Sequence, residues 1–242
     1  MFGQNPIRKK DHESLSLRVQ EIFHTIQGEG PYAGVPAVFL RLAGCNLRCT
    51  FCDTDFESGY EDVRTYEAVV KSIRTLASTT KTKLLVITGG EPMLQNFLPI
   101  IHALTDRDGT GWHVQIETAG TIWLPGLQEY ILEGRASLVC SPKTGKVHPL
   151  VTMHCQAWKY VIRDLPNGID TKDGLPLAAT QSSGDDRAWI YRPTRRFGDR
   201  IYLQPCDEGP DAMRRNTTLA ASLCMAHGYT LCLQLHKIVG LP

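Results

Sequence analysis

The sequence predicts a single α/β domain built on a mostly parallel sheet. Segments with strand-like character are followed by segments with helical periodicity, which is the pattern of repeated βα units. Residues 84–88 form an almost continuous apolar run, as expected for a strand that is covered on both faces. No internal repeat or low-complexity tract divides the 242 residues, so one domain is preferred over two.

The individual elements follow from local composition. Residues 35–42 form a short apolar, β-branched run between Gly34 and Gly44, which predicts a strand. Residues 65–78 place apolar side chains at helical spacing behind Thr65, a good helix N-cap, and so predict a helix. The same reasoning predicts strands at residues 84–88, 113–118, 137–140, 158–162, 201–203 and 229–235, and helices at residues 93–104, 124–132 and 211–227.

Three stretches depart from this alternation. Residues 1–16 are polar and charged, and we expect a mobile N-terminal extension before a core domain of residues 17–242. Residues 144–156 show little periodicity, and residues 167–200 are rich in Gly, Ser, Asp and Arg. Both stretches are expected to be loops or insertions within the domain. The arginines of residues 187–200 alternate with aromatic and acidic side chains, which favours a solvated or interface loop over an RNA-binding surface.

Charge and composition exclude several classes of protein. The chain has 26 Lys and Arg against 25 Asp and Glu, a formal net charge of +1, so we expect neither nucleic acid nor a membrane as a partner. No apolar run approaches the roughly 18–20 residues of a membrane span, and the N-terminus lacks the apolar core of a secretory signal. A soluble, cytoplasmic protein is predicted.

Three of the eight cysteines, Cys45, Cys49 and Cys52, lie within eight residues in the spacing C-x3-C-x2-C. In a cytoplasmic chain such a group indicates metal binding or catalysis before disulfides. A structural zinc site takes four protein ligands, and no fourth Cys or His follows at zinc-finger spacing. A cubane iron–sulfur cluster has four irons, so three thiolates would leave one iron open to a small molecule.

This spacing, with Phe51 directly before the last cysteine, resembles that of the radical S-adenosylmethionine superfamily. The segment from Thr88 to Pro92 (TGGEP) resembles the glycine-rich motif of the same enzymes. Gly90 would let the backbone approach a ligand, and Glu91 would accept a hydrogen bond from an α-ammonium group. The alternative for this motif is a simple turn from strand to helix with Pro92 at the first helical position.

Further segments resemble one family in that superfamily, the 7-carboxy-7-deazaguanine synthases. They are FHTIQGEG (23–30), GVPAVFLRL (34–42), IETAGT (116–121), SPK (141–143), LQP (203–205) and a terminal His236 to Pro242. The resemblance implies a partial βα barrel. It implies conversion of 6-carboxy-5,6,7,8-tetrahydropterin to 7-carboxy-7-deazaguanine with loss of ammonia, in the biosynthesis of 7-deazapurines such as queuosine. It also implies a 4Fe–4S cluster, S-adenosylmethionine, Mg²⁺, an external electron donor such as flavodoxin or ferredoxin, and a homodimer.

The same resemblance implies the site residues. Cys45, Cys49 and Cys52 would hold the cluster, and the hydroxyl of Thr54 would contact Mg²⁺. S-adenosylmethionine would be bound by Phe51, Cys52, Asp53, Gly90, Glu91, Ser141, Pro142, Lys143, Gln204, Pro205, Cys206 and Asp207. The pterin would be bound by Ile26, Gln27, Gly28, Glu29, Arg41, Thr88, His236 and Pro242. The residue types suit these roles, because a guanidinium fork matches a carboxylate and amide or carboxylate groups match a pterin edge.

Two other functions compete with this interpretation. A glycyl-radical-activating enzyme shares the cysteine spacing and the glycine-rich motif, but it would need an open groove for a polypeptide. A non-enzymatic zinc or iron–sulfur binding module would give no chemical role to Arg41 or Glu91.

Overall fold

The computed structural model describes residues 5–55, 62–105, 111–180, 189–194 and 200–242. The strands are β1 (Ser16–Ile26), β2 (Pro36–Leu42), β3 (Asp62–Thr65), β4 (Leu84–Gly89), β5 (His113–Thr118), β6 (Ala136–Cys140), β7 (Ala157–Ile162), β8 (Arg200–Pro205) and β9 (Thr230–Leu231). The helices are α1 (Tyr66–Ala77), α2 (Leu98–Thr105), α3 (Leu127–Leu132), α4 (Pro149–His154), α5 (Pro210–His227) and α6 (Leu235–Ile238).

Within the described residues these strands form one sheet in the order β3-β1-β2-β4-β5-β6-β7-β8-β9. From β2 to β9 neighbouring strands are parallel, whereas β1 pairs antiparallel with both β2 and β3. Strands β3 and β9 stand at opposite edges, so the sheet does not close. Side chains from one face of β1, β2, β4, β5, β7 and β8 line a single cavity, which means that the sheet curves around it. The prediction of a partial βα barrel is confirmed.

Helices α1 to α5 cover the convex face of this sheet, whereas α6 lies at the cavity on the concave side. In α1 the side chain of Thr65 caps the N-terminus by accepting a 3.3 Å hydrogen bond from the backbone N–H of Ala68. Val69 and Ile73, one helical turn apart, are fully buried in the large apolar core that follows the outer face of the strands. No helix in the described part of the chain combines the length and apolar character of a membrane span.

The concave face changes from apolar to polar along the strands. Phe39 of β2 and Val86 of β4 belong to a small apolar cluster on this face. Two residues further on, Arg41 and Thr88 point to the same side because side chains alternate along a strand, and both line the cavity. The polar site therefore lies toward the carboxyl ends of the parallel strands, where barrel enzymes place their chemistry.

Strand β1 contains an irregularity that moves its side chains from one face to the other. Its pairing with β2 shifts between Val19 and Glu21. As a result Leu17 and Val19 lie in the core under the helices, whereas Glu21 and Thr25, also odd-numbered, line the cavity. A bulge has this effect because one extra residue reverses the alternation of the following side chains.

Several predicted elements have different limits in the structure. The helix expected at 93–104 is divided into a 3-10 turn, Pro92–Leu94, and α2, because Gln95 is extended and its side-chain amide bonds to the backbone of Arg18 and Ala43. The strand expected at 229–235 is wrong beyond Leu231, since α6 begins at Leu235. Strands β1 and β3 and helices α4 and α6 were not predicted.

The described part of the N-terminal extension makes hydrogen bonds to the core. Arg8 donates its backbone N–H to the carbonyl of Cys45 at 2.7 Å, and Asp11 donates to that of Leu94 at 2.7 Å. Asn5 is buried. Because these are backbone bonds in isolated bridges outside the named strands, hydrophobicity patterns do not reveal them.

The described parts of the expected insertion also pack on the core. Leu175, Ala179 and Ile190 are buried in the large apolar cluster. Thr50 of the cysteine segment donates its backbone N–H to the carbonyl of Ala179 at 3.0 Å. Residues 181–188 and 195–199, which include most of the arginine-rich run, lie outside the described residues.

Candidate active site

A cavity of about 530 Å³ opens at the carboxyl ends of the parallel strands. Its volume is in the range of small-molecule sites. It brings together most of the residues predicted for the site: Gln27, Glu29, Arg41, Cys45, Cys49, Phe51, Cys52, Asp53, Thr54, Thr88, Gly90, Ser141, Lys143, Gln204, Cys206, Asp207, His236 and Pro242.

Five predicted site residues do not line this cavity: Ile26, Gly28, Glu91, Pro142 and Pro205. For Ile26 and Gly28 the reason is strand alternation, since Thr25, Gln27 and Glu29 occupy the cavity side. Gly28 instead makes room for the C-terminal segment, because a Cβ at this position would lie 2.0 Å from Nδ1 of His236.

Glu91 is completely buried beside the cavity. Its carboxylate accepts hydrogen bonds from the Thr118 hydroxyl at 2.8 and 2.9 Å, from the backbone N–H of Ala119 at 2.9 Å and from that of Met93 at 3.0 Å. Burial raises the pKa of Glu91, although these bonds oppose the shift. Glu91 therefore joins the end of β4 to the end of β5.

Gly90 is required by close packing between the glycine-rich motif and the cysteine segment. A Cβ at Gly90 would lie 2.3 Å from the carbonyl oxygen of Gly44 and 2.7 Å from Cβ of Cys45. The backbone N–H of Glu91 donates to the same Gly44 carbonyl at 3.0 Å. The two motifs predicted separately from the sequence are thus in direct contact.

The three clustered cysteines are free thiols and all line the cavity. The Cys45 sulfur accepts from the backbone N–H of Leu47 at 3.4 Å, and the Cys52 sulfur accepts from the Asn5 amide at 3.6 Å. Burial raises the pKa of all three thiols, that of Cys45 to about 12, so a metal would bind with release of their protons.

This arrangement fits an iron–sulfur cluster better than a single ion. Within the described residues no three His, Cys, Asp or Glu side chains close around one metal position. In an iron–sulfur cluster each thiolate binds a different iron atom. The three sulfurs therefore need not converge on one point and need only lie around one cavity. Backbone N–H groups directed at the sulfurs are also a common feature of cluster sites.

Two cations lie over the ring of Phe51 in the cysteine segment. The Lys143 ammonium is 5.8 Å from the ring centroid, and the Arg163 guanidinium is 5.9 Å from it. Arg163 also donates to the Thr50 hydroxyl at 3.1 Å and to both carboxylate oxygens of Glu208 at 3.0 and 2.5 Å. The end of β7 and the turn after β8 are thereby tied to the cysteine segment.

A buried group of charges lies on the concave face. Lys159 of β7 forms a short ion pair with Glu29 and a second ion pair, of 3.7 Å, with Glu117 of β5. Gln27 connects the Glu117 carboxylate to the backbone of Glu29, because its amide nitrogen donates to Glu117 at 3.1 Å and its amide oxygen accepts from the Glu29 backbone N–H at 3.1 Å. Thr88 donates to the other oxygen of Glu117 at 3.4 Å.

The C-terminal segment covers one side of the cavity. Leu235 donates its N–H to the carbonyl of Gly28 at 3.3 Å, and the Thr25 hydroxyl donates to the Pro242 carbonyl oxygen at 2.8 Å. Burial lowers the pKa of His236, although the nearby Glu29 opposes this shift. The lowered pKa favours the neutral imidazole of His236.

Two further predicted residues stand at the cavity edge. Arg41 donates from Nε to Glu21 at 2.6 Å, which commits one of its five N–H groups. The Thr54 hydroxyl donates a 3.0 Å hydrogen bond to the adjacent Asp53 carboxylate. Two side-chain oxygens of the kind that Mg²⁺ prefers as ligands therefore lie next to each other.

Comparisons with known proteins agree with this geometry. Residues 40–145 match the model of the radical SAM superfamily, a span that includes the cysteine segment and the glycine-rich motif. The 7-carboxy-7-deazaguanine synthase of Rhodospirillum rubrum is 41% identical over 253 aligned positions, which cover 99% of both chains. That of Rickettsia prowazekii is 34% identical and covers 100% of this chain and 96% of its own. The chain belongs to the 7-carboxy-7-deazaguanine synthase family.

A solved structure supports the fold assignment. The crystal structure of QueE from Escherichia coli superposes with a TM-score of 0.60 over 90% of this chain and 94% of its own, at 24% sequence identity. As a member of the synthase family, this chain is a radical S-adenosylmethionine enzyme, a lyase that uses a 4Fe–4S cluster and S-adenosylmethionine. Family membership decides against both alternative functions.

Among the residues that sequence reasoning missed are two charged residues that line the cavity, Glu117 and Lys159, and Arg163, which contacts the cysteine segment from outside the cavity. Lys159 carried a detectable signal, because it is a charged residue in the middle of an otherwise apolar strand. Glu117 carried a weaker signal, because β5 also contains His113, Gln115 and Thr118. In a strand buried on both faces such a residue needs a buried partner. Arg163 follows β7 directly and has no comparable signal.

Proposed function

We propose that this chain converts 6-carboxy-5,6,7,8-tetrahydropterin to 7-carboxy-7-deazaguanine with loss of ammonia, as a step toward 7-deazapurines such as queuosine. The observation that carries the proposal is one cavity that contains three cluster-type cysteines together with two buried carboxylates, Glu29 and Glu117. When bound, the cluster and S-adenosylmethionine supply radical chemistry that abstracts a hydrogen atom. The residues of this chain bind and orient the reactants.

The polar groups of the cavity match the two ends of such a substrate. The pyrimidine edge of a pterin presents neighbouring N–H groups, which suit a carboxylate such as that of Glu29. Its carboxylate suits the guanidinium of Arg41, which forms charge-assisted bonds. His236 and Pro242, on the C-terminal segment, cover the same space and would keep water from the reacting atoms.

S-adenosylmethionine would lie beside the cysteine segment. Phe51, Asp53, Gly90, Ser141 and Lys143 line that part of the cavity, as do Gln204, Cys206 and Asp207. Mg²⁺ would take the Thr54 hydroxyl, with substrate oxygens and water completing its coordination.

We also propose an external one-electron donor of the flavodoxin or ferredoxin class, a homodimer and a cytoplasmic location.

Anaerobic reconstitution with iron and sulfide, followed by turnover of the pterin with S-adenosylmethionine, Mg²⁺ and a strong reductant, tests the function. We expect 7-carboxy-7-deazaguanine to form without matching consumption of S-adenosylmethionine. Cleavage of S-adenosylmethionine with the pterin left intact would contradict the proposed substrate. The Arg41→Ala variant provides the comparison, because unchanged turnover would remove its assigned contact with the substrate carboxylate.

A further inference from the structure

Lys159 has a position that the proposed reaction does not explain by itself. It lies in the middle of β7, and its side chain is only 9% exposed. The side chains of its two partners are nearly as well covered, with Glu29 12% exposed and Glu117 15% exposed. A lysine is rarely buried to this extent without carboxylate partners. Its neighbours on the same strand face, Ala157 and Val161, offer it no charge.

The carboxylates around Lys159 are held from several directions. One oxygen of Glu29 pairs with Lys159, and the other accepts from the Gln234 amide at 2.9 Å. Glu117 accepts from the amides of Gln27 and Gln115, each at 3.1 Å. Among the described residues, Lys159 is the only Lys or Arg that forms an ion pair with either carboxylate. The group of three therefore has two negative charges and one positive charge.

Electrostatics favours the charged forms of Lys159 and Glu29. Burial opposes a charged Lys159, but the two carboxylates outweigh it and raise the pKa of its ammonium above the usual value. Burial likewise opposes an ionised Glu29, yet Lys159 and the Gln234 amide lower the pKa of this carboxyl. The other titratable groups near the three are Cys232, His236 and Lys143.

We propose that Lys159 is a positioning residue for the pterin, which keeps the Glu29 and Glu117 carboxylates ionised and aimed at the N–H edge of the substrate. This inference rests on the proposed function. Without the lysine, two buried carboxylates would share one site, and one of them would take up a proton. A protonated carboxyl donates where the pterin edge also donates, so substrate binding would weaken.

Steady-state kinetics of Lys159→Met tests this role. We expect the KM for the pterin to rise about tenfold or more, while the KM for S-adenosylmethionine stays within about twofold of the wild-type value. We also expect the raised pterin KM to fall as pH increases, because higher pH removes the extra proton from the carboxyl pair. Lys81→Met, which changes an exposed lysine, is the matched control.

Two more variants separate positioning from a structural role. Lys159→Arg keeps the positive charge, and its pterin KM should stay within about threefold of wild type even if Lys159→Met folds poorly. Lys159→Met combined with Glu29→Gln removes one charge of each sign, so its pterin KM should depend much less on pH than that of Lys159→Met. Equal rises in both KM values, or a pH-independent defect, would overturn the inference.

Failure of the inference is distinguishable from failure of the proposed function. If the wild-type enzyme turns over the pterin and Lys159→Met has an unchanged pterin KM, the function stands and the positioning role is wrong. If the wild-type enzyme does not turn over the pterin, the proposed function fails. In that case S-adenosylmethionine cleavage in wild type and Lys159→Met would still report whether the cluster site is intact.

Discussion

The side-chain amide of Asn5 donates a 2.7 Å hydrogen bond to the backbone carbonyl of Thr54, 49 residues further along the chain. The same amide nitrogen lies 3.6 Å from the sulfur of Cys52. The N-terminal segment is therefore part of the support for the cysteine segment, since it fixes the last cluster ligand and the residue proposed to contact Mg²⁺.

Replacing this amide should make the cluster less stable. In Asn5→Ala the Thr54 carbonyl and the Cys52 sulfur lose a buried donor, so we expect the cluster to be lost to an iron chelator several-fold faster than in wild type. The loss of cluster absorbance under anaerobic conditions measures this rate. Lys9→Ala, an exposed change in the same segment, is the control. Equal rates in all three proteins would contradict the supporting role.

Arg163 should affect S-adenosylmethionine rather than the pterin. Arg163→Met removes the guanidinium from the Phe51 ring and leaves the Glu208 carboxylate without its bidentate partner. We expect the KM for S-adenosylmethionine to rise about tenfold with little change in the KM for the pterin, the reverse of Lys159→Met. Arg215→Met, which removes an exposed 3.8 Å ion pair with Asp164, should change neither constant. A rise confined to the pterin KM would contradict this assignment.

Gly90→Ala should prevent the cysteine segment from packing normally. The added Cβ would lie 2.3 Å from the Gly44 carbonyl oxygen, and backbone at this distance has to move. We expect the free energy of unfolding to fall by about 1–3 kcal/mol, the usual cost of overpacking. Chemical denaturation of the apoprotein measures it. At Gly168 an added Cβ would lie 3.1 Å from its nearest neighbour, the Cβ of Leu165, so Gly168→Ala should cost less. Equal losses would argue against a special constraint at Gly90.

Thr54→Ala should weaken the response to Mg²⁺. The variant loses the hydroxyl that stands beside Asp53 in the cavity. We expect the Mg²⁺ concentration for half-maximal turnover to rise several-fold, because one oxygen ligand of a cation that prefers oxygen is missing. Thr54→Ser keeps the hydroxyl and should behave like wild type. An unchanged Mg²⁺ titration for Thr54→Ala would remove this residue as a ligand.

His113 should make stability depend on pH below neutrality. Its Nε2 lies 3.0 Å from the Tyr32 hydroxyl and 2.8 Å from the Ser137 hydroxyl, and both can donate to it only while the ring is neutral. Burial lowers the pKa of His113 from 6.5. The unfolded chain therefore binds the proton more readily, so this contribution to stability is complete above pH 6.5 and is lost as pH falls through the folded-state pKa.

The unfolding temperature of wild type and His113→Gln, measured from neutral pH downward, tests this linkage. We expect the wild-type value to fall more steeply than that of the variant. His236 also has a lowered pKa and remains in both proteins, so the difference between the two curves isolates His113. Parallel curves would show that His113 does not contribute.

Much of the parallel sheet was predictable because its signals are local. Strands β4, β6 and β7 are short, mainly apolar runs, and α1 and α5 show periodicity and clear termini. Strand β1 was missed because its bulge breaks the alternation of buried side chains. Helix α4 is only six residues long and begins at Pro149, so it has almost no periodicity to detect.

The chemistry of the site divides in the same way. The cysteine motif and the glycine-rich motif each occupy a short continuous segment of the sequence. Together they were sufficient to indicate an iron–sulfur enzyme that binds S-adenosylmethionine. Tertiary structure alone decided that Glu91 ties two strands, that Asn5 supports the cluster segment and that Lys159 meets Glu29 and Glu117. Those contacts join residues from 27 to 130 positions apart in sequence. Their strength depends on burial and on the balance of nearby charges, and both arise only once the sheet has curved around its cavity.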